Sequence, residues 1–196
     1  MDDIERAIWQ QFNIKRGDNL PYTPFNNSTG RVGLVHLLGQ LGYTRGAEVG
    51  VSRGAYSLTL CETIVGLHLS CVDPWAAYGG WSQENMDNRA EDARSLLAGY
   101  DVEFIRKPSL EAVHQFAAAS LDFVYIDGAH DFDNVMQDII LWSTRVRKGG
   151  IVAGHDYYHF HNAGVVRAVD AYTLAHNITP WYVTKEDMPT FFWVRR

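Results

Sequence analysis

Two apolar runs in the middle of the chain each end in residues that can do acid–base or metal chemistry. The run at residues 121–126 ends at Asp127, and His130 follows three residues later. A second run ends at His155 and Asp156. Neither run alternates with polar residues, which is typical of strands covered by helices on both faces. Open parallel sheets bind ligands just beyond the carboxyl ends of their strands. The sequence therefore predicts two carboxylates and at least one imidazole in one crevice.

The elements that must position these residues alternate along the chain. Apolar runs predict five strands, at residues 47–49, 67–72, 102–105, 121–126 and 151–154. Helical spacing and end signals predict helices at residues 3–12, 55–65, 83–98, 110–118, 132–148 and 165–175. They predict one further helix, which begins at a cap at Ser28 or Thr29 and ends at Gly42. Two closing strands, at residues 181–184 and 191–194, have no helix between them. This order predicts an α/β fold with a doubly wound sheet and helices on both faces.

A basic cluster of Arg145, Arg147 and Lys148 stands at the predicted end of the helix that follows the fourth strand. Val146 continues the helical spacing, and Gly149 begins the stop signal. Basic residues in a last helical turn complement the negative end of the helix dipole. We therefore favour a structural role for this cluster over phosphate binding.

Composition limits the class of protein. A chain of 196 residues with 46 % hydrophobic residues suits one domain that buries roughly 70 % of its unfolded surface. A formal charge of −6 argues against a nucleic-acid partner, which normally meets a basic patch. Cys61 and Cys71 lack metal-type spacing and indicate buried thiols in a reducing compartment. The acidic start and the absence of a long apolar run predict a cytoplasmic protein without membrane contact.

The turn after the first strand, residues 48–54, contains two glycines that let the backbone approach a ligand closely. Asp73 ends the next strand, where an acidic residue can accept hydrogen bonds from ribose hydroxyls. The dinucleotide fingerprint G-x-G-x-x-G is not met, because Ser52 occupies its second glycine position. This turn therefore suits a pyrophosphate poorly, and a smaller adenosyl ligand stays open as an alternative.

The same turn matches G-x-S-x-G, the nucleophile motif of serine hydrolases, with Ser52 as nucleophile. A triad of Ser52, Asp127 and His155 follows the hydrolase order. The turn comes after the first strand, however, and too few strands precede it to build an oxyanion loop. The hydrolase also leaves Asp73 and Asp156 without a role, so we keep it only as an alternative.

Four motifs occur in one order: Glu48-x-Gly50-x-x-Arg53-Gly54, Val72-Asp73-Pro74-Trp75, Tyr125-Ile126-Asp127-Gly128-x-His130 and Lys148-Gly149-Gly150-Ile151-Val152-x-Gly154-His155-Asp156-Tyr157. With these motifs the sequence resembles class I S-adenosylmethionine-dependent methyltransferases. It is most similar to the small metal-dependent O-methyltransferases, namely the macrocin O-methyltransferase-like group and, more distantly, the catechol and caffeoyl-CoA enzymes. The resemblance covers residues 44–194. It leaves out the N-terminal stretch and the segment 74–100, where such enzymes vary to suit their substrates.

The resemblance implies a Rossmann-like, seven-stranded sheet, mostly parallel, with an antiparallel C-terminal hairpin. We expect a single methyltransferase domain over residues 1–196. Within it, we expect residues 1–43 to form N-terminal helices that cap the substrate site, and residues 44–196 to form the cofactor-binding core.

The resemblance also implies residues that bind S-adenosylmethionine. Asp73 is expected to bind the ribose hydroxyls, Trp75 to lie near the adenine and Ser109 to contact it. Asp127 is expected to contact the cofactor as well as to take part in catalysis. The methionine moiety is expected to lie near four residues of the first turn, Glu48, Gly50, Ser52 and Gly54.

A metal-assisted mechanism follows from the same resemblance. Asp127 and Asp156 are expected to bind Mg²⁺ or Mn²⁺, and His130 is expected to act as the general base, with a pKa near ~6.5 that suits proton removal at neutral pH. His155 departs from the family pattern, because imidazole suits Zn, Fe, Ni or Mn better than Mg²⁺. Either His155 is a ligand of a softer metal, or it only contacts the ligands while Asp156 binds.

Other residues near the two strand ends have open roles. His159 and His161 are either substrate contacts, ordinary loop residues or part of a histidine-rich metal site. Trp75, Tyr78 and Trp81 form either an aromatic lid or a small satellite core.

We therefore expect a metal-assisted O-methyltransferase that acts on a hydroxyl of a small molecule, such as a sugar or a phenolic natural product. A homodimer is expected by analogy with the family. Alternatives are a metal-independent methyltransferase for another acceptor, including nucleic acid or protein, an enzyme of the non-haem-iron hydroxylase kind, and a cofactor-binding module that no longer catalyses.

Overall fold

The computed structural model describes residues 2–14, 20–24, 30–160 and 163–196. Its centre is a seven-stranded sheet with the spatial order β3-β2-β1-β4-β5-β7-β6. The strands are β1 Arg45–Val49, β2 His68–Val72, β3 Val102–Ile105, β4 Leu121–Ile126, β5 Val146–Gly154, β6 Tyr182–Val183 and β7 Phe191–Val194. Strands β1 to β5 are parallel, and β7 runs antiparallel to both β5 and β6. The predicted fold class is confirmed.

Two layers of helices cover the sheet. The helices are α1 Asp3–Phe12, α2 Gly30–Gln40, α3 Ala55–Thr63, α4 Gln83–Leu96, α5 Ser109–Ala112, α6 Phe132–Ser143 and α7 Val165–Ala175. Alternate residues of β4 show how the layers divide, because Phe123 and Tyr125 join the core under α1 to α4, whereas Val124 and Ile126 join the core under α5 to α7. The sheet is therefore apolar on both faces, as the continuous runs predicted.

The topology places the candidate chemistry at one edge. β1 and β4 are neighbours at the centre of the sheet, although the chain reaches β4 only after two further strands. Their carboxyl ends, and those of β2 and β5, lie at the same edge because the four strands are parallel. The loops that follow these strands therefore meet there.

The boundary between α6 and β5 differs from the prediction. The helix ends at Ser143, and β5 already begins at Val146. Val146 is fully buried opposite Leu121 of β4, and the Arg147 guanidinium bonds to the carboxylate of Asp122 at 2.7 Å. The predicted role of the basic cluster at a helix end is therefore wrong, because Val146 belongs to the sheet although its spacing fits the helix.

Smaller differences occur elsewhere. The helix predicted at residues 110–118 is only α5, Ser109–Ala112, continued by a 3-10 turn at Val113–Gln115. Ala119 takes a left-handed conformation with φ of 57°, so the chain turns into β4 there.

The predicted caps Ser28 and Thr29 lie outside the described residues. In the part of the chain that is described, no helix combines the length and the apolar character needed to cross a membrane.

Candidate active site

Asp127, His130 and Asp156 converge beyond the carboxyl ends of β4 and β5. One ligand atom from each of the three lies within 4.8 Å of the other two. The Nε2 atom of His130 lies 2.8 Å from Oδ2 of Asp156. The two strand ends therefore bring together the carboxylates and the imidazole that the sequence placed there.

His155 lies between the same two carboxylates. Its Nδ1 atom is 3.3 Å from Oδ1 of Asp156 and 3.5 Å from Oδ1 of Asp127, and its side chain is largely buried. Burial lowers the pKa of His155, but the two carboxylates outweigh this effect and raise the pKa to about 9. A cationic imidazole is therefore the favoured form of His155 beside these anions.

Asp156 has a strained backbone and an oxygen without a hydrogen bond. Its φ of 58° is in the left-handed region, which is uncommon outside glycine and clusters at functional sites. The residue is 6 % exposed, and its Oδ1 atom accepts no hydrogen bond from the described residues. Burial raises the pKa of Asp156, but the contacts with His130 and His155 outweigh it and keep the pKa well below its usual range.

His130 is the accessible member of the group, with 44 % of its side chain exposed. The hydrogen bond with Asp156 raises its pKa above the ordinary value, against the opposing effect of burial. Its backbone carbonyl accepts a hydrogen bond from the Gly164 amide at 2.7 Å, and its ring meets the edge of Phe160 at 5.6 Å. His130 is therefore held in place while its ring still reaches solvent.

The turn between β1 and α3 lies beside this group. Gly50 has φ of 94°, and a Cβ atom there would lie 2.0 Å from the carbonyl oxygen of Asp127. Gly54 has φ of 82° and stands at the start of α3. Only glycine allows the first turn to approach the end of β4 so closely.

Asp73 closes that turn from the end of β2. Its Oδ2 atom accepts hydrogen bonds from the amides of Val51 at 3.0 Å and Ser52 at 2.9 Å. Its Oδ1 atom accepts one from the amide of Trp75 at 2.8 Å. A carboxylate has about four acceptor positions, so most of the capacity of Asp73 holds the two loops together.

Glu48 lies beneath the turn and is almost completely buried. The Ser57 hydroxyl donates a hydrogen bond to its carboxyl group. Burial raises the pKa of Glu48 to about 8, although the Ser57 hydrogen bond opposes the shift. The protonated form of Glu48 is therefore favoured at neutral pH.

The family model for a methyltransferase domain matches residues 47–157, which include the first turn and both strand ends. The chain belongs to this methyltransferase family. The predicted resemblance to class I S-adenosylmethionine-dependent methyltransferases and the predicted enzyme class are confirmed. A search of curated proteins gives no match.

Solved structures share the fold of this methyltransferase. The O-methyltransferase TomG from Streptomyces achromogenes, in complex with SAM, has 18 % identity and a TM-score of 0.61, with 100 % of both chains covered. Cofactor-bound Rv0187 from MTB has 19 % identity and a TM-score of 0.61, with 100 % of this chain and 91 % of that chain covered. An O-methyltransferase from Bacillus cereus, in complex with SAH, has 18 % identity and a TM-score of 0.60, with 99 % of this chain and 91 % of that chain covered.

The aromatic residues after β2 divide into a buried and an exposed part in this methyltransferase. Trp75 is fully buried among core residues, and its indole N–H donates to the Ser52 carbonyl at 2.8 Å. Tyr78 and Trp81 are 66 % and 44 % exposed. Trp75 therefore belongs to the main core, neither to a lid nor to a satellite cluster, whereas the other two can cover a ligand.

Arg89 contacts the first turn, which the sequence did not reveal. Its guanidinium lies 4.3 Å from the centre of the Trp81 ring and donates to the Ser52 hydroxyl at 2.7 Å. The buried Nε atom of Arg89 has no hydrogen-bond partner among the described residues. Arg89 lies in a highly charged helix, α4, so its residue type and spacing gave no signal.

Ser109 is the predicted site residue that the structure supports least. Its hydroxyl donates to the carboxylate of Asp138 on α6 and accepts a hydrogen bond from the Trp142 indole at 2.7 Å. Asp138 is buried, and this burial raises its pKa to about 6. The hydroxyl of Ser109 therefore joins α5 to α6, and its contact with adenine stays a prediction.

The alternative serine-hydrolase triad is not assembled. The Ser52 hydroxyl is bonded to Arg89, while Nδ1 of His155 faces Asp127 and Asp156. A serine nucleophile needs a base within hydrogen-bond reach, and no such bond links Ser52 to an imidazole among the described residues. Of the two loop histidines, His159 is exposed and His161 lies outside the described residues.

Proposed function

We propose that this methyltransferase transfers the methyl group of S-adenosylmethionine to a hydroxyl group of a small molecule, with the help of a divalent cation. The acceptor class is a sugar or a phenolic natural product. The observation that supports this best is the convergence of Asp127, His130 and Asp156 within 4.8 Å, next to the glycine turn. Two carboxylates and an imidazole at this edge can help to remove a proton from a hydroxyl. An acceptor that needs no deprotonation would have no use for them.

The donor set fits a divalent cation. Oxygens of Asp127 and Asp156 lie within 4.8 Å of each other, and Oδ1 of Asp156 is buried without a hydrogen bond, 3.3 Å from Nδ1 of His155. Asp127 and Asp156 would bind Mg²⁺ or Mn²⁺, with His155 as a neighbour of both carboxylates or, after losing its proton, as a third ligand. A bound cation supplies positive charge that lowers the pKa of an acceptor hydroxyl.

His130 would remove the hydroxyl proton. Its Nε2 atom is engaged with Asp156 at 2.8 Å, so Nδ1 is the nitrogen left to accept a proton. The carboxylate of Asp156 fixes the ring orientation and stabilises the imidazolium that forms, as the acidic partner does in a catalytic triad. The His130 side chain is 44 % exposed, so an acceptor can reach the imidazole from solvent.

The β1–β2 half of the edge would bind the cofactor. The glycine turn offers close backbone approach, the carboxylate of Asp73 lies beside it, and the buried, protonated Glu48 lies beneath it. TomG and the Bacillus cereus enzyme, which share this fold, have SAM and SAH bound. Their complexes support the assignment of S-adenosylmethionine to this chain.

Calorimetric titration with S-adenosylhomocysteine tests the cofactor half. We expect the wild-type protein to bind it and Asp73→Ala to bind about 10-fold more weakly or worse, because the variant loses both the ribose acceptor and the clasp on the turn. Asp101→Ala, an exposed carboxylate that pairs with His68, is the matched control. Unchanged affinity in Asp73→Ala would remove Asp73 from the ribose role.

A methyl-transfer screen of sugar and phenolic hydroxyls tests the acceptor half. We expect turnover to fall on chelation and to return with added Mg²⁺ or Mn²⁺. With the acceptor so found, His130→Ala should lose about 10²- to 10⁴-fold in turnover with little change in cofactor affinity. His114→Ala, an exposed histidine far from this edge, should behave as wild type. Activity that survives exhaustive chelation rules out the metal, and full turnover in His130→Ala rules out the base.

A further inference from the structure

We propose that a second ligand site, for a small aromatic carboxylate, lies at the end of the sheet opposite the candidate active site. A cavity of about 290 Å³ opens there between the carboxyl ends of α6 and α7, the connection to β6 and the end of β7. The residues that define it chemically are Ser143, Tyr172, His176, Trp193, Arg195 and Arg196. The proposal is independent of the methyl-transfer function.

The cavity is cationic in an acidic protein. Two arginines and a histidine line it, none of the lining side chains carries a carboxylate, and the α-carboxylate of Arg196 is the one acidic group on a described lining residue, although the chain has a formal charge of −6. Arg196 is already paired with Glu5 and Asp2. The guanidinium of Arg195 has no ion pair with any described residue. An anionic ligand would therefore find an unpaired cation.

Ser143 supplies a polar group that the fold itself does not use. The residue is 6 % exposed, and its hydroxyl has no hydrogen-bond partner among the described residues. Leaving a buried hydroxyl unpaired costs about 1–3 kcal/mol, so most such groups in folded proteins are satisfied. Because Ser143 lines the cavity, a ligand oxygen can satisfy it.

The apolar part of the cavity is a row of aromatic rings. The ring of Tyr172 lies 5.8 Å from that of Trp193 at an interplanar angle of 28°, and 4.3 Å from that of His176 at 34°. Such a wall favours planar ligands. The volume is at the lower limit for ligand pockets, which suits a ligand of one or two rings.

A simpler explanation accounts for only part of these observations. The cavity lies at the carboxyl ends of α6 and α7, and arginines complement the negative end of a helix dipole. That explanation leaves Ser143 unsatisfied and does not account for the stacked rings of Tyr172, Trp193 and His176 beside it. A ring with a carboxylate explains all three features together.

Nuclear magnetic resonance titration of the full chain tests the proposal. Sodium benzoate is the probe, and benzamide and acetate supply the ring and the charge separately. The indole N–H signal of Trp193 is assigned with Trp193→Phe. We expect saturable shifts with benzoate and at least 10-fold weaker binding of benzamide and of acetate.

Variants separate ligand binding from a structural role. Arg195→Gln should weaken benzoate binding about 10-fold, and Ser143→Ala about 3-fold. Arg167→Gln, an exposed arginine of α7 outside the cavity lining, is the matched control and should not change it.

Three results would overturn the proposal. They are the absence of a saturable shift with benzoate, equal affinity for acetate or benzamide, and an Arg195→Gln variant that loses stability while its benzoate affinity stays at the wild-type value.

Discussion

The two halves of the carboxyl edge of the sheet treat their polar groups differently. In the β1–β2 half, Asp73 accepts three backbone amides and Glu48 is bonded to Ser57, so the polar groups are engaged with the protein itself. In the β4–β5 half, Asp156 retains a buried oxygen without a hydrogen bond, and His155 lies between two carboxylates.

The difference indicates two kinds of recognition. In the first half, the hydrogen bonds of the polar side chains are already formed within the protein. A ligand there would contact mainly backbone groups. The second half is a pair of carboxylates around the cationic His155, with one buried carboxylate oxygen that a bound cation or a donated hydrogen bond would satisfy. Changes in one half should therefore affect binding events that changes in the other half leave alone.

A substitution at Asp156 separates metal binding from cofactor binding. Asp156→Asn should weaken Mn²⁺ binding about 100-fold or more, because a charged ligand is lost while asparagine tolerates the left-handed backbone. Its affinity for S-adenosylhomocysteine should stay within about 2-fold of wild type. Mn²⁺ binding is measured by the loss of the free Mn²⁺ signal in electron paramagnetic resonance. The affinity for S-adenosylhomocysteine is measured by calorimetry. A Mn²⁺ affinity equal to that of wild type would contradict a role of Asp156 in metal binding.

Gly50→Ala tests the point where the two halves touch. Its Cβ atom would lie 2.0 Å from the Asp127 carbonyl oxygen, and φ of 94° adds strain. We expect a loss of about 3–5 kcal/mol in the free energy of unfolding, measured with urea. Gly66→Ala has a similar φ of 73° but no atom within 4 Å, and should lose only about 1 kcal/mol. Equal losses would mean that backbone conformation alone, and not the contact, limits this position.

Glu48→Gln tests the buried carboxyl group through pH. The pKa rises from 4.5 to about 8 in the folded protein, so the folded state favours the proton that the unfolded chain releases above pH 4.5. Wild-type stability is therefore complete below pH 4.5 and is lost progressively as the pH rises to 8.

The glutamine variant does not titrate and should be more stable than wild type by about 2–4 kcal/mol at pH 9, with the difference shrinking toward pH 4. Urea unfolding over this range measures it. Glu62→Gln on the exposed side of α3 should change stability by less than about 0.5 kcal/mol. A difference that does not vary with pH would contradict the protonated state of Glu48.

The smallest expected effect concerns Ser109. Because its hydroxyl joins Asp138 and Trp142, Ser109→Ala should cost about 1–2 kcal/mol of unfolding free energy and leave S-adenosylhomocysteine affinity unchanged. Ser120→Ala, whose hydroxyl bonds only to a nearby carbonyl, is the control. A loss of cofactor affinity at unchanged stability would instead restore the predicted adenine contact.

The sequence predicted the strands and their functional ends because uninterrupted apolar runs and the residues that end them are local signals. It failed at Val146, where a buried strand residue coincides with helical spacing, and only pairing with Leu121 decides between the two. It also missed Arg89, because the partners of that side chain, Ser52 and Trp81, are brought to it by the fold.

A hydrogen bond connects His130, the proposed base, with the start of α7. The Gly164 amide bonds to the His130 carbonyl, and a Cβ atom on Gly164 would lie 2.3 Å from the amide nitrogen of Phe132. The loop that carries the His130 imidazole is therefore attached to α7. This helix has 11 residues and spans about 16 Å, and its carboxyl end lies at the opposite end of the sheet. We therefore expect that substitutions which disturb the packing of α7 also displace the imidazole of His130, the proposed base, and lower turnover more than they lower cofactor affinity.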